Sequence, residues 1–296
     1  MAANVRKLTP QDRSKLDAFL ARHPATTMFM RSNLRRAGMA EEPAERFEAL
    51  YVGALRNGEL TAVASHNWNG MLLVAGSEGL TEAARRAVGT SGLELSGISG
   101  SLDNVEEVRG QFGLADASTS LDSPEYLYSL KLEDLKPPAL LGQPGVVCRL
   151  PKPEEFELIC DWRMDYHLWL GGEEDDEGGR SIPERLRHKI EDDLCRILAV
   201  DGEPVSYTAF NATLPEQVQV GGVWTPPDLR GRGYAQTVVA GHLSDARDDG
   251  VERAILFTAF DNKPAQSVYE AIGFEQIGTY GLVLFEEPVG LERTLQ

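Results

Sequence analysis

One short segment in the second half of the chain combines glycines and arginines in a pattern suited to ligand binding. Its sequence is Arg230, Gly231, Arg232, Gly233, Tyr234 and Ala235. Glycines let backbone N–H groups approach a ligand closely, and a helix N-terminus adds partial positive charge, so the segment suits a pyrophosphate. It has neither the Gly-Lys-Ser/Thr ending of a P-loop nor the GxGxxG of a dinucleotide fold. Taken alone, it is equally compatible with a basic turn that ends in a helix cap.

The elements around this segment follow a strand, helix, strand order. An apolar strand from Gln217 leads into the loop, and a helix starts near Tyr234 with an apolar stripe on one face; Gly250 suits its C-terminus. An apolar strand (253–258) and a short helix (262–273) follow. This order predicts a right-handed crossover and local parallel pairing.

The two halves of the chain show the same order of elements. Each opens with a short strand, a proline and an amphipathic helix, and continues with a hairpin that turns at Asn57-Gly58 or at Asp201-Gly202. A Pro- and Gly-rich stretch (136–145) separates them. We therefore predict a domain at 1–135, a linker at 136–145 and a second domain at 146–296, related as a tandem repeat.

Composition narrows the class of protein. No apolar run is long enough to span a membrane, the N-terminus does not resemble a signal peptide, and the three cysteines lack CxxC spacing. We expect a cytoplasmic protein without a metal site. The net charge is −17, and residues 141–296 carry 28 acidic against 14 basic side chains. Such a surface disfavours nucleic acid and favours a cationic small molecule or a basic peptide.

The acidic run from Glu173 to Glu177, between glycine pairs, lacks the spacing of a calcium loop and reads as a solvated flexible loop.

Two blocks in the second half resemble the GNAT superfamily of acyl-CoA-dependent N-acetyltransferases. The first runs from Gly221 to Ala235, with Arg230, Gly233 and Ala235 at the defining positions of the Arg/Gln-x-x-Gly-x-Gly/Ala motif. The second contains Asn262 to Ala265 and Tyr269 to Phe274. The resemblance covers about 60 residues closely. It implies two tandem GNAT-like α/β domains, each with a mixed, mostly antiparallel sheet flanked by helices, of which the second is catalytic and the first degenerate.

The resemblance also implies roles for individual residues. The strand through Val223 would part from its neighbour, so that the pantetheine arm of acetyl-CoA bonds to main chain around Val223, Trp224 and Thr225. Backbone N–H groups of residues 230–235 would hold the pyrophosphate. Asn262 would contact the pantetheine or ribose, and Ala265 would pack beside the cofactor.

Tyr269 is the candidate general acid under this resemblance. Acetyl transfer to an amine expels a CoA thiolate, and a phenol of pKa about 10 can protonate a thiolate whose conjugate acid has pKa about 8.5. The alternative is a buried tyrosine whose hydroxyl has only a structural partner.

The general base and the acceptor are less defined. Many GNAT relatives place a Glu on the strand before the loop, but this strand (217–222) has no carboxylate. A water, Asp165, His167 or an acid of 173–177 remain as alternatives. Trp162 and Tyr166 share a helical face and would clasp an acceptor whose charge Asp165 receives, or they are core residues.

The first half lacks the cofactor motif. After Met71 to Ala75 comes Gly76-Ser77-Glu78-Gly79, and Glu78 would oppose a phosphate. We expect no cofactor there and a structural role.

We predict an enzyme that moves an acetyl group to a primary amine of a small acceptor. The alternatives are a non-catalytic acyl-CoA sensor or interaction protein, and an acyltransferase similar to mycothiol synthase. The acceptor, other acyl groups and the oligomeric state stay open.

Overall fold

The protein is a mixed α/β structure. A computed structural model describes residues 3–290, apart from the Glu177 side chain. The strands are β1 (Asn4–Lys7), β2 (Ala49–Arg56), β3 (Glu59–Asn67), β4 (Met71–Gly76), β5 (Leu95–Ser101), β6 (Thr119–Lys131), β7 (Val146–Arg149), β8 (Cys195–Val200), β9 (Glu203–Thr213), β10 (Gln217–Trp224), β11 (Arg253–Ala259) and β12 (Glu275–Val289). The helices are α1 (Arg13–Ala21), α2 (Met28–Ala37), α3 (Leu80–Ser91), α4 (Leu102–Gln111), α5 (Phe156–Trp169), α6 (Glu177–Arg180), α7 (Ile182–Glu191), α8 (Tyr234–Asp248) and α9 (Lys263–Ala271). Short 3-10 turns occur at Pro10–Asp12, Leu132–Asp134, Ala139–Gly142, Pro153–Glu155 and Pro227–Leu229.

The chain divides into two compact units that exchange their last strands. Among the described residues, the first unit holds 3–126 and 278–290, and the second holds Leu127–Ile277. β6 therefore begins in the first unit and ends in the second, and β12 does the reverse. This division differs from the predicted cut at 135 and 146, because strand pairing and not chain order decides which unit a strand completes. The predicted linker (136–145) lies inside the second unit, where Ala139–Gly142 packs near β7 and α8.

The sheet of the first unit has the order β1-β2-β3-β4-β5-β12. Its neighbours pair antiparallel except β4 and β5, which are parallel. Alternate residues of β2 face opposite sides: Leu50 and Val52 join a core under α3 and α4, whereas Tyr51 joins a core under α1 and α2. Helices thus cover both faces of this sheet.

The two predicted hairpins are confirmed. β2 pairs with β3 across Asn57-Gly58, and β8 pairs with β9 across Asp201-Gly202. All four turn residues have positive φ, between 51° and 92°. The right-handed twist of hairpin strands favours such turns, and Asn, Asp and Gly accept this conformation at the lowest cost.

The sheet of the second unit has the order β6-β11-β10-β9-β8-β7. β10 and β11 are parallel, as predicted, and the pairs from β10 through β7 are antiparallel. One face packs against α5 and α7 through a core that includes Ile159, Leu186 and Tyr207. On the other face, Phe210 of β9 stacks on His242 of α8 with ring centroids 3.6 Å apart. Both units therefore have the predicted mixed, mostly antiparallel sheet flanked by helices.

Candidate functional site

The central feature of the second unit is a pair of parallel strands, β10 and β11, that separate along their length. The register joins residues 217–219 of β10 to residues 253–255 of β11. Beyond these pairs, β10 continues to Trp224 and β11 to Ala259 without further pairing between them. A gap therefore opens between the carboxyl ends of two adjacent strands, the position where open α/β sheets bind ligands.

A bulge bends β10 at this gap. The register against β9 shifts between Gly221 and Trp224, and Gly222 has φ +63°. Arg163 of α5 donates from Nη1 to the Gly222 carbonyl at 3.0 Å, and a Cβ added at Gly222 would collide with its guanidinium. Arg163 thus ties α5 to the bulge.

The predicted phosphate loop connects the end of β10 to the N-terminus of α8. Gly231 and Gly233 have φ of +76° and +80°, and nothing lies within 4 Å of a Cβ added at Gly231. Thr237 is the first residue of α8 whose backbone N–H donates to a preceding backbone carbonyl, that of Gly233, at 3.1 Å. The N–H groups of residues 234–236 therefore stand at the open end of a 15-residue helix, where an anion is stabilised.

The two arginines of the loop have different contacts. The Arg230 Nε donates to the Thr225 carbonyl at 3.0 Å, and its guanidinium lies 4.9 Å from the centre of the Trp224 ring. Arg232 is exposed and reaches the Asp228 carbonyl at 3.3 Å. Arg230 therefore braces the loop against the end of β10, and Arg232 is the more available of the two to an anion.

The side chains of Trp224 and Thr225 face the protein. Trp224 is buried in the core beneath α5, and the Thr225 hydroxyl lies 2.8 Å from the Ser206 hydroxyl. The Ser206 hydroxyl also donates to the Trp224 carbonyl at 3.0 Å. Any contact of these residues with a ligand in the gap is therefore made through main chain, as it would also be at the bulged Val223.

Helix α9 begins at the end of β11, and α9 packs against α8. Asn262 is its N-cap: the side-chain oxygen accepts from Ala265 N at 3.2 Å. The Gln266 amide donates to the Ala259 and Phe260 carbonyls at 3.0 and 3.1 Å, which fixes α9 to the strand. Asn262 thus has a structural role that the resemblance did not indicate.

Tyr269 lies on α9 and is 9% exposed. Its ring packs edge-on against Phe274, with centroids 6.0 Å apart. The phenol is held in a packed environment, which both predicted alternatives for Tyr269 require.

The three predicted acceptor residues on α5 have different surroundings. Trp162 is a core residue, in contact with the cluster that includes Tyr207 and Trp224. Asp165 is exposed, and Tyr166 is half-buried with its ring 6.0 Å from that of Trp224. Trp162 is therefore packed in the core, Asp165 lies at the surface, and Tyr166 is half-buried beside the last residue of β10.

Trp169 is a candidate acceptor residue that the sequence interpretation missed. Its ring stacks on Tyr166 at 6.2 Å, yet 55% of the residue is exposed. Arg163 lies 4.7 Å from the Tyr166 ring on the same helix. The three-residue spacing from Tyr166 was a usable signal, since residues three apart share a helix face.

The acidic segment is more ordered at one point than the prediction of a flexible loop. Both carboxylate oxygens of Asp176 lie 2.8 Å from His167 Nε2, and Asp176 accepts from the N–H groups of Glu173 and Gly179. Burial alone would raise the pKa of Asp176, but these hydrogen bonds and His167 together lower it to about 2. His167 thus anchors the segment to α5.

Strand β10 carries no carboxylate, and its buried polar side chains are Gln217 and Gln219. The sequence interpretation considered only a carboxylate on this strand and assigned no role to the glutamines.

Among residues 3–290, no group of three or more His, Cys, Asp or Glu is arranged to hold a metal ion. Within the same residues, no helix is long and apolar enough to cross a membrane.

Comparisons with known proteins place these elements in a class of protein. Residues 156–274 match the family described as "Acetyltransferase (GNAT) family". This stretch of the second unit is a GNAT acetyltransferase domain.

One curated protein is similar to part of this chain. A mycothiol acetyltransferase from Saccharomonospora viridis is 34% identical over 76 residues, which are 26% of this chain and 24% of that protein. The match thus spans about a quarter of the curated relative.

Solved structures match nearly the whole chain. A tandem GNAT protein from the clavulanic acid biosynthesis pathway has a TM-score of 0.56 at 15% identity, covering 97% of this chain and 100% of that one. A GCN5-related N-acetyltransferase from Sphaerobacter thermophilus has 0.57 at 17%, covering 97% and 96%. A Drosophila protein solved by structural genomics has 0.65 at 12%, covering 96% and 99%. The whole chain therefore has the fold of a tandem GNAT protein.

Proposed function

We propose that the second unit transfers an acetyl group from acetyl-CoA to a primary amine of a small acceptor. The observation that carries this proposal is the gap between β10 and β11, which leads directly into a glycine loop with free helix N–H groups. A pantetheine arm is a slender chain with amide groups, which suits a slot between two strand backbones. The diphosphate next to it in CoA then meets the main-chain N–H groups of residues 230–235.

The residues present fit such a ligand. The space around Gly231 and the left-handed φ of Gly231 and Gly233 give close access to main-chain N–H groups. Arg232 adds an exposed positive charge, whereas Arg230 keeps the loop in place. Asn262 holds the start of α9 at the edge of the gap and has amide hydrogens for the ligand, and Ala265 follows it on the first turn.

Bound acetyl-CoA supplies an activated thioester, whose transfer to nitrogen forms a C–N bond and breaks the C–S bond. Main-chain N–H groups near Val223 stabilise the negative charge that develops on the carbonyl oxygen. Tyr269 donates a proton to the departing sulfur. Packing of its ring against Phe274 supports this role, because a positioned acid needs a fixed ring.

The acceptor region is proposed on α5 and the segment that follows. Tyr166 and Trp169 offer aromatic faces, and Asp165 and the acids of 173–175 offer negative charge. This chemistry favours a cationic amine, since aromatic faces and carboxylates both attract ammonium groups. With Asp176 bound to His167, a deprotonating group is best sought in Asp165 or in water.

The first unit is proposed to have a structural role without binding a cofactor. In its corresponding turn, a Cβ on Gly76 would meet the Thr61 carbonyl at 2.4 Å, and one on Gly79 would meet Ala54 at 2.7 Å. Glu78 adds a negative charge that pairs with Arg56. This crowding contrasts with the open space at Gly231.

The test is a panel of primary amines with acetyl-CoA, monitored for release of CoA thiol and by mass spectrometry of the products. We expect acetylation of at least one cationic amine. Acetyl-CoA binding by calorimetry without thiol release for any amine would favour a second candidate, a non-catalytic acyl-CoA sensor or interaction protein. This second candidate is retained because β10 has no carboxylate that could act as a general base.

A transfer similar to that of mycothiol acetyltransferase is a third candidate, motivated by the 76-residue match. Its distinguishing result is selective acetylation of an amine on a thiol precursor over simple amines.

A further inference from the structure

Gln219 occupies the last paired position before β10 and β11 separate. It stands opposite Ile255, and no pair follows it. The residue is 2% exposed, so its amide is withdrawn from bulk water. A buried amide must find partners inside the protein or leave a costly unpaired group.

The donor side of this amide is used at the point of separation. Gln219 Nε2 donates to the carbonyl of Val220, the first residue beyond the paired region, at 2.7 Å. Phe210 of β9 stands opposite Val220 in the register. The Phe210 N–H donates to the Leu194 carbonyl, on the side of β9 that faces away from β10. In antiparallel strands this marks a pair without mutual hydrogen bonds, so the Val220 carbonyl points toward the β11 side. Gln219 therefore replaces the partner that this carbonyl loses when the strands part.

The acceptor side of the amide is unused. Among the described residues, Gln219 Oε1 is buried and has no hydrogen-bond partner. Most buried polar atoms in native proteins are paired, and an orphan beside a ligand gap is explained if the ligand supplies the donor.

We propose that Gln219 is a positioning residue of the acyltransferase site, with Nε2 holding the strands apart and Oε1 accepting a hydrogen bond from an N–H group of a bound substrate. This inference rests on the proposed function. Two substrates carry such a group: the pantetheine amide of acetyl-CoA and the acceptor amine. The chemistry required of either is the same, an N–H donor inside the gap.

The experiment compares the full-length wild type with Gln219→Met, which keeps the volume and removes both polar atoms. Calorimetry with acetyl-CoA and with 3′,5′-ADP, which lacks pantetheine, separates the two halves of the cofactor. Steady-state kinetics with the best amine gives the KM of the acceptor. Thr208→Val is the matched control, because Thr208 Oγ1 is also a buried orphan of this sheet but lies on β9.

If pantetheine is the donor, Gln219→Met weakens acetyl-CoA binding roughly five- to tenfold and leaves 3′,5′-ADP unchanged. If the acceptor amine supplies the N–H group, acetyl-CoA binding is unchanged, and the KM of the amine rises by a similar factor with kcat retained. Unchanged values for both, in a variant that folds, overturn the proposal. Thr208→Val is expected to alter neither.

A crystal structure of the wild type with acetyl-CoA and the amine serves if the variant fails to fold. A ligand nitrogen within hydrogen-bond distance of Gln219 Oε1 supports the proposal, and none in that complete complex overturns it. Wild type that binds no acetyl-CoA at all would instead refute the proposed function.

Discussion

Arg149 binds both oxygens of the Glu155 carboxylate, at 2.7 and 2.8 Å, and Glu155 also accepts from the backbone N–H of Lys152 at 2.6 Å. The first unit repeats this arrangement with Arg6 and Asp12, which form hydrogen bonds of 2.6 and 2.7 Å. In both units the pair joins the opening strand to the 3-10 turn before the first helix. This shared detail supports the tandem relationship more specifically than element order does.

Glu155→Gln is expected to destabilise the second unit by roughly 1–3 kcal/mol, because it leaves the Arg149 fork without its carboxylate. Arg149 holds the pKa of Glu155 below its usual value of 4.5. The stabilisation is therefore present above pH 4.5 and is lost as the pH falls through the lowered pKa. Urea unfolding at pH 7 and pH 3 measures this, and the gap between wild type and variant should shrink at pH 3. Lys131→Gln, from an exposed pair 4.0 Å apart, is the control with a change below about 0.5 kcal/mol. A gap independent of pH would contradict the assignment.

Gly233→Glu is expected to abolish acetyl-CoA binding, because it puts bulk and negative charge at the helix N-terminus. The control is Gly250→Glu, which puts the same side chain at a residue of φ +93° beyond the other end of α8. Both variants carry the backbone cost of a positive φ, so comparable stability with a loss of binding in Gly233→Glu alone isolates the site. Calorimetry with acetyl-CoA measures the affinity, and retained affinity in Gly233→Glu would count against the assignment of this loop to the diphosphate.

Tyr269→Phe is expected to lower kcat by about 10²-fold with little change in acetyl-CoA affinity, since only the proton donor is removed. Tyr128→Phe is the matched control: its hydroxyl bonds to Glu270 of α9 at 3.0 Å, and its loss should affect stability and not turnover. Stopped thiol-release assays at saturating substrates give the comparison. Equal turnover for wild type and Tyr269→Phe would remove Tyr269 from the acid role.

Trp169→Ala is expected to raise the KM of a cationic amine roughly tenfold while leaving the KM of acetyl-CoA unchanged, because the exposed indole face is lost. Leu158→Ala, also exposed and on α5, is the control and should change neither constant. An effect on acetyl-CoA alone would place Trp169 outside the acceptor region.

Glu125 in the first unit should make stability depend on pH near neutrality. Burial raises its pKa to about 7, although the Ser123 hydroxyl opposes this shift. Because the folded pKa exceeds the unfolded value of 4.5, the full stability is present below pH 4.5 and declines as the pH rises through 7.

Glu125→Gln removes this ionisation. We expect the variant to exceed wild type at pH 8 by on the order of 1–3 kcal/mol, with the difference diminishing toward pH 5. Thermal unfolding across this range measures it, with the exposed Glu106→Gln as control. A constant offset at all pH values would rule out titration of Glu125.

Local signals in the sequence predicted much of the fold. Asn57-Gly58 and Asp201-Gly202 predicted hairpins correctly because a two-residue turn demands positive φ. The turn from Gly231 to Gly233 and the helix that starts at Tyr234 were also predicted correctly, because glycine adopts a positive φ at the lowest cost. These features depend on neighbouring residues only.

Features that depend on distant contacts were not predicted. The exchange of β6 and β12 depends on pairing between remote segments, and the bond from Arg149 to Glu155 spans six residues, which is neither a helix nor a strand period. Trp162 was ambiguous because a helical stripe fits both a core and a binding face. The proposed role of Gln219 depends on where β10 and β11 separate, and no residue type in the sequence indicates that position.

The placement of β12 also has a consequence for synthesis. Ser99 of β5 bonds to Tyr280 of β12 across 181 positions of chain, so the first half leaves the ribosome with an open sheet edge. That edge stays open until Tyr280 has been translated. The first unit therefore cannot complete its sheet before the second unit has been synthesised, and during that interval the open β5 edge is a site for edge-to-edge aggregation.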